Sequence, residues 1–591
     1  MLNAQNIGEL LEYTPFFHTQ TIDGKTEITA GLIPLNLVAI YKNSFPLIFD
    51  QNIHFNYTSI PLWDLDSVVF LMGEINNHNK NLTGLSIHLY SRDFVNKPFT
   101  LKANATGTQL NDLHTNILGT FSNVKHNLRI GGNRSFTSAL SENNGSRSST
   151  WSSAERYDFN ASYSYSFFSN IKMDLHTDNT YQSNWQKSNI IEGTTRVKDE
   201  NTKIGNNNIY ASIKSDLSKY HTIMVAGQYH HIGTRTRNFD KDLFSSKSEF
   251  SDANGQLSRT GYNFTYLTLQ LNADKDAFGY TTGIDLSNTS DHIFSSINAI
   301  KTAYSDYSIF SSFRYKFKDK FRVQAGAKLL SNNLSGNFIL SHISLNLKPN
   351  KLVQFKVSYN QSLAYPNFNY LFYPLEISEI SNNNILLTPT TINRGIIQFN
   401  ISKNKLSLIG GLQISSLLSR HRINFPMYDI KEFNSTTNSA YFIFNLKSEN
   451  FTLKPSIILS GFNHFKDTIN QNYFHPQFNL NGVWSIKPFK AKININGKYL
   501  GKHQSLQFIS NQAYIYETDN FILFSASIFK TFIDNKLLLG FGVNNLLNAQ
   551  KVTRKTYLLT EFEQIPHNDS NALISRGINS FLTLKYTINE K

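Results

Sequence analysis

The sequence predicts a membrane all-β protein: about 22 antiparallel strands closed into a transmembrane β-barrel, preceded by a small mixed α/β unit. Three observations carry this. Read backwards from Lys591, the chain divides into paired stretches in which apolar and polar residues alternate. Each pair is joined at one end by a tight turn and at the other, usually, by a long polar segment, which is the asymmetry of barrels in bacterial outer membranes. The composition is 13% aromatic, with 29 Tyr and 46 Phe, enough to furnish the girdles such barrels carry at both membrane interfaces. The mean hydropathy of −0.33 is that of a soluble protein, and no run approaches the roughly 18–20 apolar residues of a spanning helix. A barrel escapes that test because only every second strand residue faces lipid.

The strands can be justified in turn from the C-terminus. In 579–588, Leu582, Leu584, Tyr586 and Ile588 share one face, and Thr583, Lys585 and Thr587 the other. A long segment (548–578) precedes it, then a strand at 537–547. The turn Ile533-Asp534-Asn535 leads back to 520–531, using residues that tolerate unusual backbone angles. Lys487-Pro488 turns 476–486 into 490–500, and Ser448-Glu449-Asn450 turns 437–447 into 451–463. Lys403-Asn404, Pro349-Asn350 and Lys318-Asp319 serve the hairpins 391–417, 336–360 and 305–331. Ala273-Asp274 and Lys219-Tyr220 serve 261–286 and 207–232. The clearest strand is 157–168, where Tyr157, Phe159, Ala161, Tyr163, Tyr165 and Phe167 alternate with Asp158, Asn160, Ser162, Ser164 and Ser166. It turns at Ser169-Asn170 into 171–182, and strands at 99–107, 112–122 and 124–134 complete the series. With a periplasmic C-terminus, all these turns fall on the periplasmic side. The long segments 183–206, 233–260, 361–390, 418–436, 501–519 and 548–578 fall outside; the short connections 108–111 and 332–335 do not follow the rule.

Composition narrows the chemistry. Cysteine is absent, so thiolate metal sites, disulfides and cysteine nucleophiles are excluded. The net charge of +14 is scattered along the chain and gathers into no stripe of the kind nucleic acid requires. No His-Glu-x-x-His, phosphate-loop or EF-hand pattern occurs; Gly497 to Lys502 is one residue short of a phosphate loop and reads as a strand end. His230 and His231 are adjacent in a strand and point to opposite faces, so they do not share an ion. Neither enzymatic activity nor a cofactor nor a metal site is expected. The opening Met1 to Gln5 reads as the tail of an export signal whose charged and apolar parts lie upstream.

Residues 1–96 differ from the rest. A helix-like stretch (Ile7 to Leu11) is followed by strand-like Thr26 to Thr29, with no hairpin series, which predicts a small irregular α/β unit.

Gly8-Glu9-Leu10-Leu11-Glu12-Tyr13-Thr14-Pro15 is similar to the short plug helix and closing proline of the TonB-dependent outer-membrane receptor family. Ile60-Pro61-Leu62-Trp63-Asp64-Leu65-Asp66-Ser67-Val68, followed by Leu71-Met72-Gly73, resembles the approach to its plug glycine, and Gly84 to Leu89 its last plug strand. Ser362-Leu363-Ala364-Tyr365-Pro366 resembles its Phe-Arg-Ala-Pro box, Asn384 to Pro389 its Asn-Pro-Asn-Leu box, and Gly542 to Asn548, with Asn544 and Asn545, the end of its penultimate strand. There are departures. The family's Arg-Gly pair is Ala30-Gly31, its Asp-Gly turn is Lys42-Asn43-Ser44, and Asn76 to Asn81 replaces a Tyr-Gly-Ser stretch. No Ton box stands in the few residues before the helix.

The resemblance implies a plug domain at 1–96 lying in the lumen of a barrel at 97–591, in a Gram-negative outer membrane. It implies uptake of a scarce solute such as a siderophore–iron complex or a cobalamin-like cofactor, with lipid, a small-molecule ligand and an inner-membrane TonB-type energising protein as partners. Ligand contacts are expected from the aromatics of the outer loop 367–383: Phe368, Tyr370, Phe372 and Tyr373. The absence of histidine from that loop speaks against haem. Two alternatives stay open: a degenerate plugged barrel that binds a partner, and a passive porin.

Overall fold

The computed structural model describes residues 4–14, 17–22, 25–30, 33–34, 38–47, 60–72, 85–91, 98–141, 147–245, 248–250, 258–275, 277–294, 299–318, 320–333, 335–364, 390–419, 424–425, 428–429, 433–466, 469–509, 512–559 and 564–589. Its dominant element is a closed antiparallel barrel of 22 staves, with the three-residue strand Ser248–Phe250 as an appendage on one of them. The first stave is Phe99–Thr108 and the last Asn579–Asn589. They close the ring directly, with Tyr586 opposite Ala103 and Thr583 opposite Thr106.

Alternation decides which residues line which side. Along Ser153–Phe168, Arg156, Asp158, Asn160, Ser162 and Ser164 are buried inside, whereas Tyr157 and Phe159 are exposed outside. The last stave repeats this, with Leu582, Leu584, Tyr586 and Ile588 exposed and Thr583 buried. The surface is thus inverted relative to a soluble protein: apolar side chains face out, polar ones in. That arrangement is stable only against lipid, and a closed ring leaves no unpaired backbone edge to meet it.

The tight turns fall where asparagine, aspartate and lysine clusters predict them. Left-handed backbone occurs at Lys318, Asn404, Lys490, Ile533, Asp534 and Asn535. Lys487–Phe489 is a single 3-10 turn that lets Pro488 sit where no amide proton is needed. One turn lies elsewhere than expected: Ser258–Lys275 runs through Ala273 and Asp274, and the reversal comes after Lys275.

The outward side departs further from the expectation of irregular loops. Ile171–Gln186, Arg196–Asp216 and His221–Asp242 continue as strands through most of the segments read as 183–206 and 233–260 loops. The longest has 22 residues, about twice what a membrane crossing needs. Segments 501–519 and 548–578 are likewise not loops. They supply His503–Ile509, Gln512–Thr518, Lys551–Leu559 and Gln564–Leu573, which pair in that order as a separate four-stranded sheet. Ala513–Thr518 pairs with Arg554–Leu559, a partnership between two different hairpins that local pattern reading does not reach.

Inside the barrel lies the α/β unit. Its helix, Ile7–Glu12, begins with a reciprocal cap: Asn6 Oδ1 accepts from the Glu9 amide (3.0 Å), and Glu9 Oε2 accepts from the Gln5 amide (2.8 Å). A four-stranded mixed sheet follows in the order Phe45–Leu47, Ala39–Lys42, Leu85–Ser91, Leu65–Met72, with the second and third parallel. Phe17–Ile22, Lys25–Ala30 and Ile33–Pro34 form a smaller sheet. Ile7, Leu11, Phe17, Val38, Ile40, Ile60, Leu65, Ile87 and Leu89 make a single buried core.

Candidate functional site

The α/β unit is seated against the inner wall of the barrel, across the bore that a solute would have to pass. Two sets of contacts hold it, on opposite walls. On one wall the helix end is tied by neutral hydrogen bonds, beside an electrostatic attraction between Glu12 of the helix and the buried Lys498 of the stave Ala491–Leu500. Asn481 Nδ2 donates to the Tyr13 carbonyl (3.0 Å), Gln477 Nε2 to the Phe17 carbonyl (3.2 Å), and the Tyr13 hydroxyl lies 3.1 Å from Ser525 Oγ. These partners sit on the staves Ile469–Ile486 and Phe521–Phe532.

The other wall uses charge. Lys42 Nζ donates to Asp64 Oδ2 within the plug (2.6 Å) and to Asp178 Oδ1 on the stave Ile171–Gln186 (2.8 Å). Lys42 and Asp64 are buried, Asp64 only 1% exposed, while the Asp178 side chain stays partly exposed. Burial would lower the Lys42 ammonium, but Asp178 and Asp64 together outweigh it and hold its affinity for the proton above the ordinary value. Next to it the turn Asn43-Ser44 has left-handed backbone at both residues, φ 50° and 74°. Asn43 Nδ2 donates to the Tyr210 hydroxyl (2.9 Å), Phe45 packs on the Tyr210 ring (4.5 Å between centroids), and Gln228 Nε2 donates to the Pro46 carbonyl (3.0 Å). Asp64 therefore holds a charge that fastens plug to wall.

Between these surfaces lies a cavity of about 60 Å³, lined by Lys42, Trp63, Asp64, Asp178, Asn208 and His230 among others. Several buried polar atoms that line it, Trp63 Nε1, Asp64 Oδ1, Asp178 Oδ2, Asn208 Nδ2 and His230 Nδ1, have no hydrogen-bond partner among the described residues. The volume is enough for a few waters, and the lining supplies both donors and acceptors for them. Trp63 also leans on the barrel wall where Gly131 leaves room; a Cβ at that position would lie 2.5 Å from Trp63 Cζ3. His230 faces inward and accepts or donates to Asn206, while His231 faces outward to Asn263, so the pair is split as the strand geometry requires.

The penultimate stave, Leu537–Asn544, ends as its sequence suggests. Asn545 is left-handed and buried. Its side chain bonds the Ala549 amide (3.1 Å) and carbonyl (3.0 Å) and Ser575 Oγ (2.7 Å), fixing the start of an outward connection. Pro61 bridges to Asn6, setting the helix against the segment before Trp63. Ser362 to Ala364 lie at the outer end of the stave Val353–Ala364. Phe368, Tyr370, Phe372, Tyr373, Pro366 and Pro389, and the plug residues Pro15, Gly31, Gly73 and Gly84, lie outside the described residues. Sequence reading missed the fastening at Lys42 and Asp178. Its one signal was an acid at an inward position in the middle of a stave, where a lone carboxylate needs a cation.

Among the described residues no cluster of three or more metal-binding side chains occurs. No family model matches the chain, and no curated protein matches it significantly. Solved structures do match over the whole fold. The copper transporter OprC superposes with a TM-score of 0.76 at 10% identity, covering 100% of this chain and 97% of its own. The ferric enterobactin receptor PfeA of Pseudomonas aeruginosa, as a mutant, gives 0.75 at 10% identity, covering 99% and 96%. The ferripyoverdine receptor of the outer membrane of the same organism, bound to ferripyoverdine, gives 0.74 at 10% identity, covering 99% and 84%. The chain thus has the plugged-barrel fold of TonB-dependent receptors.

Proposed function

We propose that the protein is an outer-membrane uptake receptor, driven by an inner-membrane TonB-type energiser, for a scarce solute of the metal-chelate class. The observation that carries this is the seat of the plug. The barrel bore is filled by an independently cored unit, held on one side by a few hydrogen bonds and the Glu12–Lys498 attraction and on the other by the Lys42 contact beside a polar cavity. A passive pore has no use for a removable filling, and a purely structural barrel has no use for a wet seam between filling and wall. Neighbouring folds whose names include a copper transporter and receptors for ferric enterobactin and ferripyoverdine support the same class of cargo.

In this reading ligand binds outside, with Phe368, Tyr370, Phe372 and Tyr373 offering ring faces to a chelate. Tension on the plug's N-terminus then opens a path along the wall. The test is growth of a deletion strain on single limiting iron chelates and on cobalamin, with and without the energiser. Restoration by the intact gene for at least one solute, lost when the energiser is removed, is expected. Restoration by none of them, or steady conductance of the purified protein in planar bilayers, refutes the reading. Replacing the four aromatics with alanine should cut ligand binding at least tenfold while leaving the barrel's heat resistance unchanged.

A further inference from the structure

The outer surface of three adjacent staves, Arg196–Asp216, His221–Asp242 and Ser258–Lys275, breaks the pattern of its neighbours. Strand register shows where. One row around the barrel reads Tyr157, Tyr181, Gly205, Gly233, Gly261. Tyr157 and Tyr181 are exposed on the outside and mark the level of the outer aromatic girdle. Along that row the next three staves carry no side chain. Around a Cβ at Gly205 nothing lies within 4 Å, and at Gly233 only the His231 ring does. The outer surface therefore has a gap in its side-chain cover about 10 Å from the first strand to the third.

The row directly above the gap reads Lys203, Arg235, Arg259, in register across the same three strands and on the same outer face. Like charges directly opposite in a sheet repel. None of the three forms an ion pair among the described residues, and Arg235 Nε is buried without a hydrogen-bond partner. The nearest acid on this face of the same staves, Asp199, is already taken by Arg147 (2.5 Å) and Lys241 (3.1 Å). The row below the gap is polar as well: Asn207, His231, Asn263. Under it the outer face turns apolar, with Ile209, Ile213, Val225, Leu267 and Leu269 exposed. From Ile213 to Lys203 is ten residues, or about 25 Å of height at the usual strand rise and tilt, the thickness of the apolar band of such barrels.

Three cations with no ion-pair partner among the described residues thus sit at the top of the lipid-facing band, over a shallow trough of bare backbone. We propose that this trough seats the phosphate-bearing headgroup of an outer-leaflet glycolipid. The phosphates would meet Lys203, Arg235 and Arg259, the sugar would lie on the glycine backbone and against Asn207, His231 and Asn263, and the acyl chains would run down the apolar face. Arginine forks suit phosphate oxygens, and the anion removes the repulsion within the row. The inference needs only that the barrel stands in an outer membrane; it is independent of whether the protein transports anything.

The test uses the full chain in detergent, with bound lipid read by native mass spectrometry. Three probes are compared: phosphorylated glycolipid extracted from a Gram-negative outer membrane, the same lipid after phosphatase treatment, and inorganic phosphate. The intact glycolipid should be retained at least tenfold more than the dephosphorylated one, and inorganic phosphate should not displace it. K203S/R235S/R259S should lose at least tenfold. Gly205→Leu, which fills the trough but keeps every charge, should lose binding too. Should the triple variant fail to fold, K203S alone and Gly205→Leu still decide. Equal retention of both lipids, or no loss in the variants, overturns the proposal, and displacement by inorganic phosphate would make this a free-anion site instead.

Discussion

Replacing Lys42 with methionine should loosen the plug more than any other single change. Lys42 Nζ stands 2.6 Å from one carboxylate and 2.8 Å from another, so the two acids are themselves no more than about 5 Å apart. Methionine keeps the volume and removes the charge. What remains is Asp64, buried, and Asp178, partly so, facing each other without a cation. At an effective dielectric near 20, two unit charges about 5 Å apart repel by roughly 3 kcal/mol. Breaking a buried pair by deleting one partner costs about 3–5 kcal/mol. The two routes agree, and at 1.36 kcal/mol per decade they correspond to about 200- to 5,000-fold in an opening equilibrium.

Amide hydrogen exchange of the intact protein in nanodiscs reads that change. Strands Ala39–Lys42 and Leu85–Ser91 should exchange faster by that factor, while the staves far from the plug stay as they are. K42M/D178N should recover most of the loss, because one of the two stranded charges is gone. D178N alone should cost less than K42M, since Lys42 keeps Asp64. If K42M protects the plug as well as the wild type does, or if the double variant is no better than the single one, the contact is not what holds the plug and the reasoning fails.

Ser44 holds a left-handed backbone at φ 74° that glycine adopts without a Cβ penalty; Ser44→Gly should stabilise the turn by about 1 kcal/mol, seen as slower exchange at 43–45. Gly131→Leu should drive Trp63 off the wall, with a red shift of its emission in a background where Trp151, Trp185 and Trp484 are phenylalanine; an unchanged spectrum would place Trp63 elsewhere. Burial raises the Glu9 carboxyl to about 7, against the lowering pull of its bonds to the Gln5 amide and Asn6. Because the folded state holds that proton more tightly than the unfolded one, the helix Ile7–Glu12 loses stability as pH rises from 4.5 to 7 and is level above that. Its exchange, corrected for the intrinsic pH dependence, should be faster at pH 8 than at pH 5, and Glu9→Gln should flatten the difference.

The barrel was legible because its physics is local. Strand 157–168 declares its two faces in alternate residues, and turns such as Lys403-Asn404 declare themselves by residue type. The outward sheet was illegible for the opposite reason. Ile515 is fully buried, yet the strand that covers it comes from a hairpin some forty residues away. The plug's fastening was hidden likewise: Lys42, Asp64 and Asp178 are ordinary charges in sequence, and only the fold brings them within 3 Å. The glycine trough shows a third case. Gly205, Gly233 and Gly261 are unremarked singly, and they become a feature once register aligns them.

In the uptake proposed above, the two seats of the plug also set an order of release. The contacts at Tyr13 and Phe17 are neutral hydrogen bonds, each worth about 1 kcal/mol net, and with the Glu12–Lys498 attraction they lie on or next to the N-terminal helix. The contact at Lys42 lies further along the chain, and breaking it costs several times as much as losing any one of those hydrogen bonds. A pull applied at the N-terminus therefore meets the wall beside the helix first. The helix and the strand Phe17–Ile22 come away from the staves Ile469–Ile486 and Phe521–Phe532 while Lys42 still holds the four-stranded sheet to Asp178. Such a sequence opens the bore on one side without ejecting the plug, and it leaves an anchored half to guide the rest back. In K42M the order is lost, and the same pull should free the whole plug in one step.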